Sequence, residues 1–278
     1  MPCELTPAPI VTIQRSRPMK PHAAEFFVLV ILSPLAMPAP AFAGCDVQSG
    51  RETAALVELY TSEGCSSCPP ADLRLNHLPQ ALDRGATAIP LALHVGYWDY
   101  LGWNDPFAQQ AFARRQEWLV RLNHHVTVYT PHFFVGGAEL EPQPPALIDQ
   151  IRRVNAAPAG ADIRLRATLG PDATLAVTTD AVLRDKAAPV ALFVAVTESG
   201  LTTKVARGEN AGVTLNHDHV VRAWVGPIPI SDGAIHAQRE FVLPEAWNRD
   251  RLDVVAVVEN QHTGAVLQAV SAASCARS

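Results

Sequence analysis

The sequence predicts an α/β domain followed by a β-rich, sandwich-like domain, and three observations carry that prediction. Between residues 44 and 158, short apolar runs alternate with apolar residues at helical spacing. A C-x-x-C, Cys65-Ser66-Ser67-Cys68, stands between the first of these runs and the helix after it. From residue 159 onward, short strand-like runs follow one another with turn residues between them and no long helical pattern. The chain of 278 residues is long enough for a core in each part.

Composition narrows the function classes. A hydrophobic share of 48% and a charged share of 18% fit a globular chain rather than a disordered one. Lys+Arg 22 against Asp+Glu 27 gives a net charge of -5, and no basic run stands out. A nucleic-acid partner is therefore not expected.

Residues 1–43 read as a signal peptide. Arg15, Arg17 and Lys20 precede the apolar run Phe26–Leu32, which relaxes to Ala41-Phe42-Ala43, an A-x-A site that leaves Gly44 first in the mature chain. Met19 is an alternative start. Pro34, Pro38 and Pro40 argue against a permanent membrane span. Phe42-Ala43-Gly44-Cys45 resembles a lipobox, with Phe42 where a Leu-like residue is expected. The clean A-x-A site favours an exported, periplasmic or secreted protein over lipoprotein anchoring through Cys45.

The elements follow in order. Ala55–Thr61 reads as a core strand, and a helix is expected from the Cys65–Pro70 region to about Leu82, with Leu73, Leu75, Leu78 and Leu82 on its apolar surface. Ala88–Val95 reads as a second strand, with Pro90 implying a bulge or an edge. Asp105 is expected to cap a helix that begins at Pro106. Val126–Thr130 reads as a return strand, Pro131 interrupts it, and Phe133–Val135 leads into a turn at Gly136-Gly137. Leu147, Ile148, Ile151 and Val154 mark a closing helix, which places a boundary at about residues 157–162. Strands are then expected at 163–169, 191–197, 220–225, 239–243, 254–258 and 265–270.

The dithiol is the sharpest chemical feature. A position between strand and helix brings Cys65 near amides that favour its thiolate, and Cys68 is close enough to resolve a mixed disulfide formed there. The same spacing also suits a fixed disulfide or two thiolate ligands of copper or zinc. Thr130-Pro131 adds a second element, because an X-Pro bond adopts cis at modest cost and a cis bond exposes the Thr130 backbone to an extended substrate. Glu63 is either a proton acceptor acting through water or part of a solvated turn. His94 ends the second strand and is either a participant or a polar core residue. Trp98, with Tyr97, Tyr100, Trp103 and Trp118, either walls a groove beside Cys65 or covers the domain. Cys65, Cys68, His94 and His132 contain metal-ligand chemistry, but no compact spacing fixes a ligand set. His217-Asp218-His219 suits a strand or a loop, and Arg207–Gly212 reads as a turn with an Arg–Glu contact.

The run Val57–Asp72, which contains Cys65-Ser66-Ser67-Cys68-Pro69-Pro70, resembles the opening signature of the DUF1223 family of exported, thioredoxin-like bacterial proteins. His94–Trp103, Tyr129-Thr130-Pro131, Arg207–Gly212 and His217-Asp218 extend the resemblance through nearly all the mature chain. It departs at Gly96, where the typical second signature has an aspartate. The resemblance implies a thioredoxin-like domain at 44–158 with Cys65 as attacking sulfur, Cys68 as resolving sulfur and Pro131 as the cis-proline. The β-rich domain then spans 159–278.

The expected activity is thiol–disulfide exchange with a protein or small-molecule thiol or disulfide. It needs no cofactor, but an unidentified redox partner must reset the pair. The rivals are a binding or structural module with a fixed disulfide and a copper- or zinc-handling protein. The remaining mature cysteines, Cys45 and Cys275, are expected to form a structural disulfide between the chain ends, because unpaired thiols oxidise in an exporting compartment.

Overall fold

A computed structural model describes residues 44–140, 146–185 and 189–272. The signal-peptide reading of residues 1–43 and the Cys275 half of the expected disulfide lie outside these residues. A mixed α/β region comes first and a larger, mostly antiparallel β region follows, a thioredoxin-like domain with a β-rich sandwich. The first part contains β1 (Gly44–Gln48), β2 (Ala55–Thr61), α1 (Pro69–Asn76), α2 (Leu78–Ala81), β3 (Ala88–His94), α3 (Gln110–Leu122), β4 (His132–Val135), β5 (Ala138–Glu139) and α4 (Ala146–Asn155). The second contains β6 (Ala161–Leu169), β7 (Thr174–Leu183), β8 (Val190–Glu198), β9 (Leu201–Lys204), β10 (Thr214–His217), β11 (Val220–Pro229), β12 (Ala234–Val242), β13 (Leu252–Asn260) and β14 (Val266–Ser271).

Strands from both parts share one sheet, in the order β14-β13-β8-β11-β3-β2-β4-β5. β2 and β3 are parallel, and β11 joins β3 in parallel through a single register pair, Val220 with Ala92. The other pairs in this sheet are antiparallel. A second sheet has the order β1-β6-β7-β12, and β9 and β10 form a separate hairpin.

The two-residue period of a strand explains the layering. On β8, Ala191, Phe193 and Ala195 enter the core beneath α3, while Leu192, Val194 and Val196 enter the core against β6 and β7. On β2, Leu56 and Tyr60 point toward α3, and Ala55, Val57 and Leu59 pack with α1 and α4. Both faces are covered, so β8 and the middle of β13 read as continuous apolar runs rather than alternating ones.

Several expectations change. The expected first helix is two short ones, because Pro79 lacks the donor for the Leu75 carbonyl and its ring would clash there. Leu73 is 55% exposed and is not part of the apolar surface. Asp105 does not cap α3, which starts at Gln110 after an extended Gln109. Its carboxylate is instead committed to Glu63 N, His94 and Phe107 N. Val126–Thr130 is not a strand: Val126 is 95% exposed, and the Gln116 side chain satisfies the Tyr129 carbonyl. The return strand is β4, paired antiparallel to β2. Pro90 lies within β3, yet Ala92 N donates to His219 O where β11 begins. Two residues earlier that side of β3 has no strand, so the missing donor leaves no ladder bond unmade. At the turn between β4 and β5, Gly136 and Gly137 have φ of 63° and 87°. A Cβ on Gly137 would also collide with the Gly264 carbonyl.

An ion cluster pins α3 to the sheet. Arg115 donates from Nε to Glu58 on β2 at 2.6 Å and from Nη1 to Glu259 on β13 at 3.0 Å, with all three side chains buried. Its guanidinium lies over the rings of Trp118, Phe193 and Trp224. Burial pushes the Glu259 carboxyl up to about 7 against the opposing pull of Arg115.

Two expected outcomes follow from the fold. Arg115→Met leaves two buried carboxylates uncompensated and should cost about 3–5 kcal/mol in denaturant unfolding. Because the folded pKa of Glu259 is raised, its contribution is full below the ordinary carboxylate value and is lost as pH rises toward about 7. Glu259→Gln should flatten that part of the stability–pH curve. The second outcome concerns Cys45, whose sulfur lies 3.4 Å from the carbonyl oxygen of Ala272, three residues before Cys275. We propose that Cys45 and Cys275 are paired. Non-reducing peptide mapping of the mature protein should recover the two cysteines on one linked peptide, and a lipidated Cys45 would refute the pairing.

Candidate functional site

The site is built at the carboxyl end of β2. The strand stops at Thr61, the chain turns through Ser62-Glu63-Gly64, and Cys65 N donates back to Ser62 O at 3.1 Å. Gly64 is required by close approach, since a Cβ there would lie 2.9 Å from Trp98 Cβ. Cys65 and Cys68 form a disulfide with a Cα–Cα separation of 5.4 Å. Cys68 caps α1, and Pro69 and Pro70 occupy the first helical positions, where their missing donors do little harm.

That start leaves few free amides for a thiolate. Ala71 N and Asp72 N donate to Cys68 O, Cys68 N donates to Cys65 O, and Ser66 N donates to Glu209 Oε2 at 2.9 Å. The Ser67 hydroxyl lies 3.3 Å from the Cys65 sulfur. Both cysteines are 0% exposed, while Ser66 and Ser67 are exposed.

Glu63 is not on a solvated turn. Its buried carboxylate accepts from Trp103 Nε1 at 2.8 Å and pairs with His217 Nε2 at 3.0 Å. His217 ends β10, so the Glu63 contact ties that hairpin to the dithiol turn. Asn210 reinforces the tie: its Nδ2 donates to Glu63 O at 2.9 Å and to Cys65 O at 3.0 Å. Glu209 meets Ser66 rather than making the expected Arg–Glu contact.

A second buried group lies at the same end of the sheet. His94 Nδ1 is 2.7 Å from Asp105 Oδ2, which also accepts from Glu63 N at 2.9 Å. Burial alone would push the His94 imidazole down, but the Asp105 carboxylate outweighs it and holds the imidazole above its ordinary value. Burial likewise raises Asp105, yet His94 prevails and keeps this carboxyl low. The rings of His94, Phe107 and His217 meet edge to face, with centroids 5.1 to 5.5 Å apart. Asp72 on α1 is buried nearby, and burial pushes its carboxyl up against the opposing influence of His94. Thr61 Oγ1, Asp72 Oδ1 and His94 Nε2 are buried without a hydrogen bond of good geometry among the described residues.

Trp98 joins the turn to the segment before β4. Its Nε1 donates to Thr130 Oγ1 at 2.7 Å, and the Thr130–Pro131 peptide is cis. The aromatic side chains thus divide: Trp98 and Trp103 border the dithiol turn, Trp118 packs beside Arg115, and Tyr100 is 78% exposed. His132 is buried, stacked on Tyr129 and paired with Glu139. Among the described residues no three His, Cys, Asp or Glu side chains are grouped to hold a metal ion.

The sequence singles out Cys65, Cys68 and Pro131, with Glu63, His94, Thr130 and Trp98 as possible supports, and leaves Asp105, Glu209, Asn210 and His217 outside that set. Asp105-Pro106 and His217-Asp218-His219 stood out in the sequence, but only as a helix cap and as a strand or loop.

A model of the family described as "Protein of unknown function (DUF1223)" matches residues 56–259. The fold is similar to HBP35 of Porphyromonas gingivalis, with 18% identity and a TM-score of 0.59 over 80% of this chain and 76% of that one. It is also similar to protein AGR_C_4864 from Agrobacterium tumefaciens, with 23% identity and a TM-score of 0.56 over 80% of this chain and 95% of that one. No curated protein matches the sequence.

The His94–Asp105 pair sets a pH dependence. A histidine raised in the folded state contributes stability that is full below its ordinary value and is lost as pH rises through the folded one. Urea midpoints should therefore fall as pH rises past neutrality. Asp105→Asn should lower the His94 titration seen by NMR, remove that dependence and cost about 3 kcal/mol.

Proposed function

The chain belongs to the DUF1223 family, and we propose that it is an exported thiol–disulfide exchange protein acting through Cys65 and Cys68. The observation that carries this reading is the disulfide's position: C-x-x-C at the junction of a central strand and a helix in a thioredoxin-like sheet, with Trp98 packed against Gly64 of the same turn. In the reduced pair, the Cys65 thiolate attacks a partner disulfide, forming a mixed disulfide and releasing one partner sulfur as thiolate. Cys68, deprotonated, then attacks the Cys65 sulfur; the second partner sulfur leaves, and the pair is oxidised while the partner is reduced. In the opposite direction the same bonds are made and broken in reverse order. Residues 44–158 would carry the dithiol, and 159–278 would supply Glu209, Asn210 and His217 around it. Export rests on the pattern of residues 15–43. Among the described residues no helix is long and apolar enough to cross a membrane.

One observation favours a second reading. Both sulfurs are 0% exposed, as a fixed crosslink would be, and an attacking thiol must reach one of them. Single-cysteine variants separate the two. In the exchange reading Cys68→Ser accumulates mixed disulfides through Cys65, and Cys65→Ser captures at least about tenfold less. No capture by either variant would leave the fixed crosslink, and equal capture would refute the division of roles.

A further inference from the structure

The exchange reading leaves open what the dithiol accepts, and the group nearest its exposed face bears on that. Ser66 and Ser67 form the only exposed part of the C-x-x-C, and the Ser66 amide is held by the Glu209 carboxylate at 2.9 Å. Glu209 is itself exposed, and the Ser66 amide holds its carboxyl below the ordinary value. Asn210 fixes the same segment from beneath through its bonds to Glu63 O and Cys65 O, and it is 6% exposed. The charge of Glu209 is therefore held beside the dithiol rather than swept through solvent.

The acidic groups nearest the turn are already paired or buried. Glu63 is spent on Trp103 and His217, and Asp105 is spent on His94. Asp72 is buried under the turn and adds no positive charge. Arg207 has its Cδ 3.9 Å from the position a Cβ on Gly102 would take. A partner that approaches the exposed Ser66 side thus meets the Glu209 carboxylate.

Resting on the exchange reading, we infer that Glu209 is a specificity residue that selects against anionic thiols and favours partners with a positive charge beside the reacting sulfur. In the step concerned, a partner thiolate attacks the Cys65 sulfur. A new S–S bond forms, the Cys65–Cys68 bond breaks, and the electron pair leaves on Cys68, which takes a proton from water. The incoming thiolate and any second charge on its carrier must approach Glu209, and a like charge there lowers the rate.

Three small thiols test this on the oxidised full chain: cysteamine, 2-mercaptoethanol and 2-mercaptoethanesulfonate, with rates expressed per thiolate. The native protein should react at least about fivefold faster with cysteamine than with the sulfonate at low salt, and the ratio should shrink as salt screens it. Glu209→Gln keeps an acceptor for Ser66 but removes the charge, and it should bring the ratio close to one without loss of thermal stability. Asn210→Ala, which frees the segment that carries the charge, should weaken the selectivity. The same ratio in the native protein and Glu209→Gln, with reduction proceeding in both, overturns this inference alone. A disulfide that no thiol reduces in any of the proteins overturns the exchange reading and this inference with it.

Discussion

The arrangement depends on a buried carboxylate. Glu63 sits in the turn that carries the dithiol, and a buried carboxyl group is tolerated only when hydrogen-bond partners surround it. Those partners are Trp103 from the loop after β3 and His217 from β10, more than one hundred residues further along the chain. The backbone of Glu63 is held as well, its N–H by Asp105 and its carbonyl by Asn210. Satisfying this residue brings the second part of the chain against the C-x-x-C, and it places Glu209 within reach of Ser66.

The long sheet makes this possible. β11 lies beside β3, so residues that follow β8 emerge at the same sheet end as Cys65 and His94. α3 is locked on the opposite face by Arg115 between Glu58 and Glu259, a contact that also spans the two parts of the chain. The dithiol turn rests on a frame that neither part builds alone.

What the sequence reveals follows from how local each signal is. β2, β8 and β13 are legible because strands covered on both faces must be apolar at nearly every position. The C-x-x-C is legible because its chemistry fits within four residues. β7 alternates buried and exposed positions and carried a usable signal, but Thr179 at a fully buried position and Asp180 beside it obscure the pattern. Val126–Thr130 misleads for the opposite reason: β-branched residues favour a strand, but no edge lies beside them to pair with. Asp105, Glu209, Asn210 and His217 are legible only as polar residues, because their partners lie 42, 143, 145 and 154 positions away.

The central claim is that the buried Cys65–Cys68 pair exchanges electrons while the protein stays folded. A redox titration of the oxidised full chain against dithiothreitol buffers, read by mass after alkylation and by circular dichroism in the same samples, tests it most directly. The account predicts a reversible two-electron transition at Cys65 and Cys68 with the circular dichroism unchanged. A pair that resists reduction until the spectrum of the folded protein is lost would contradict it.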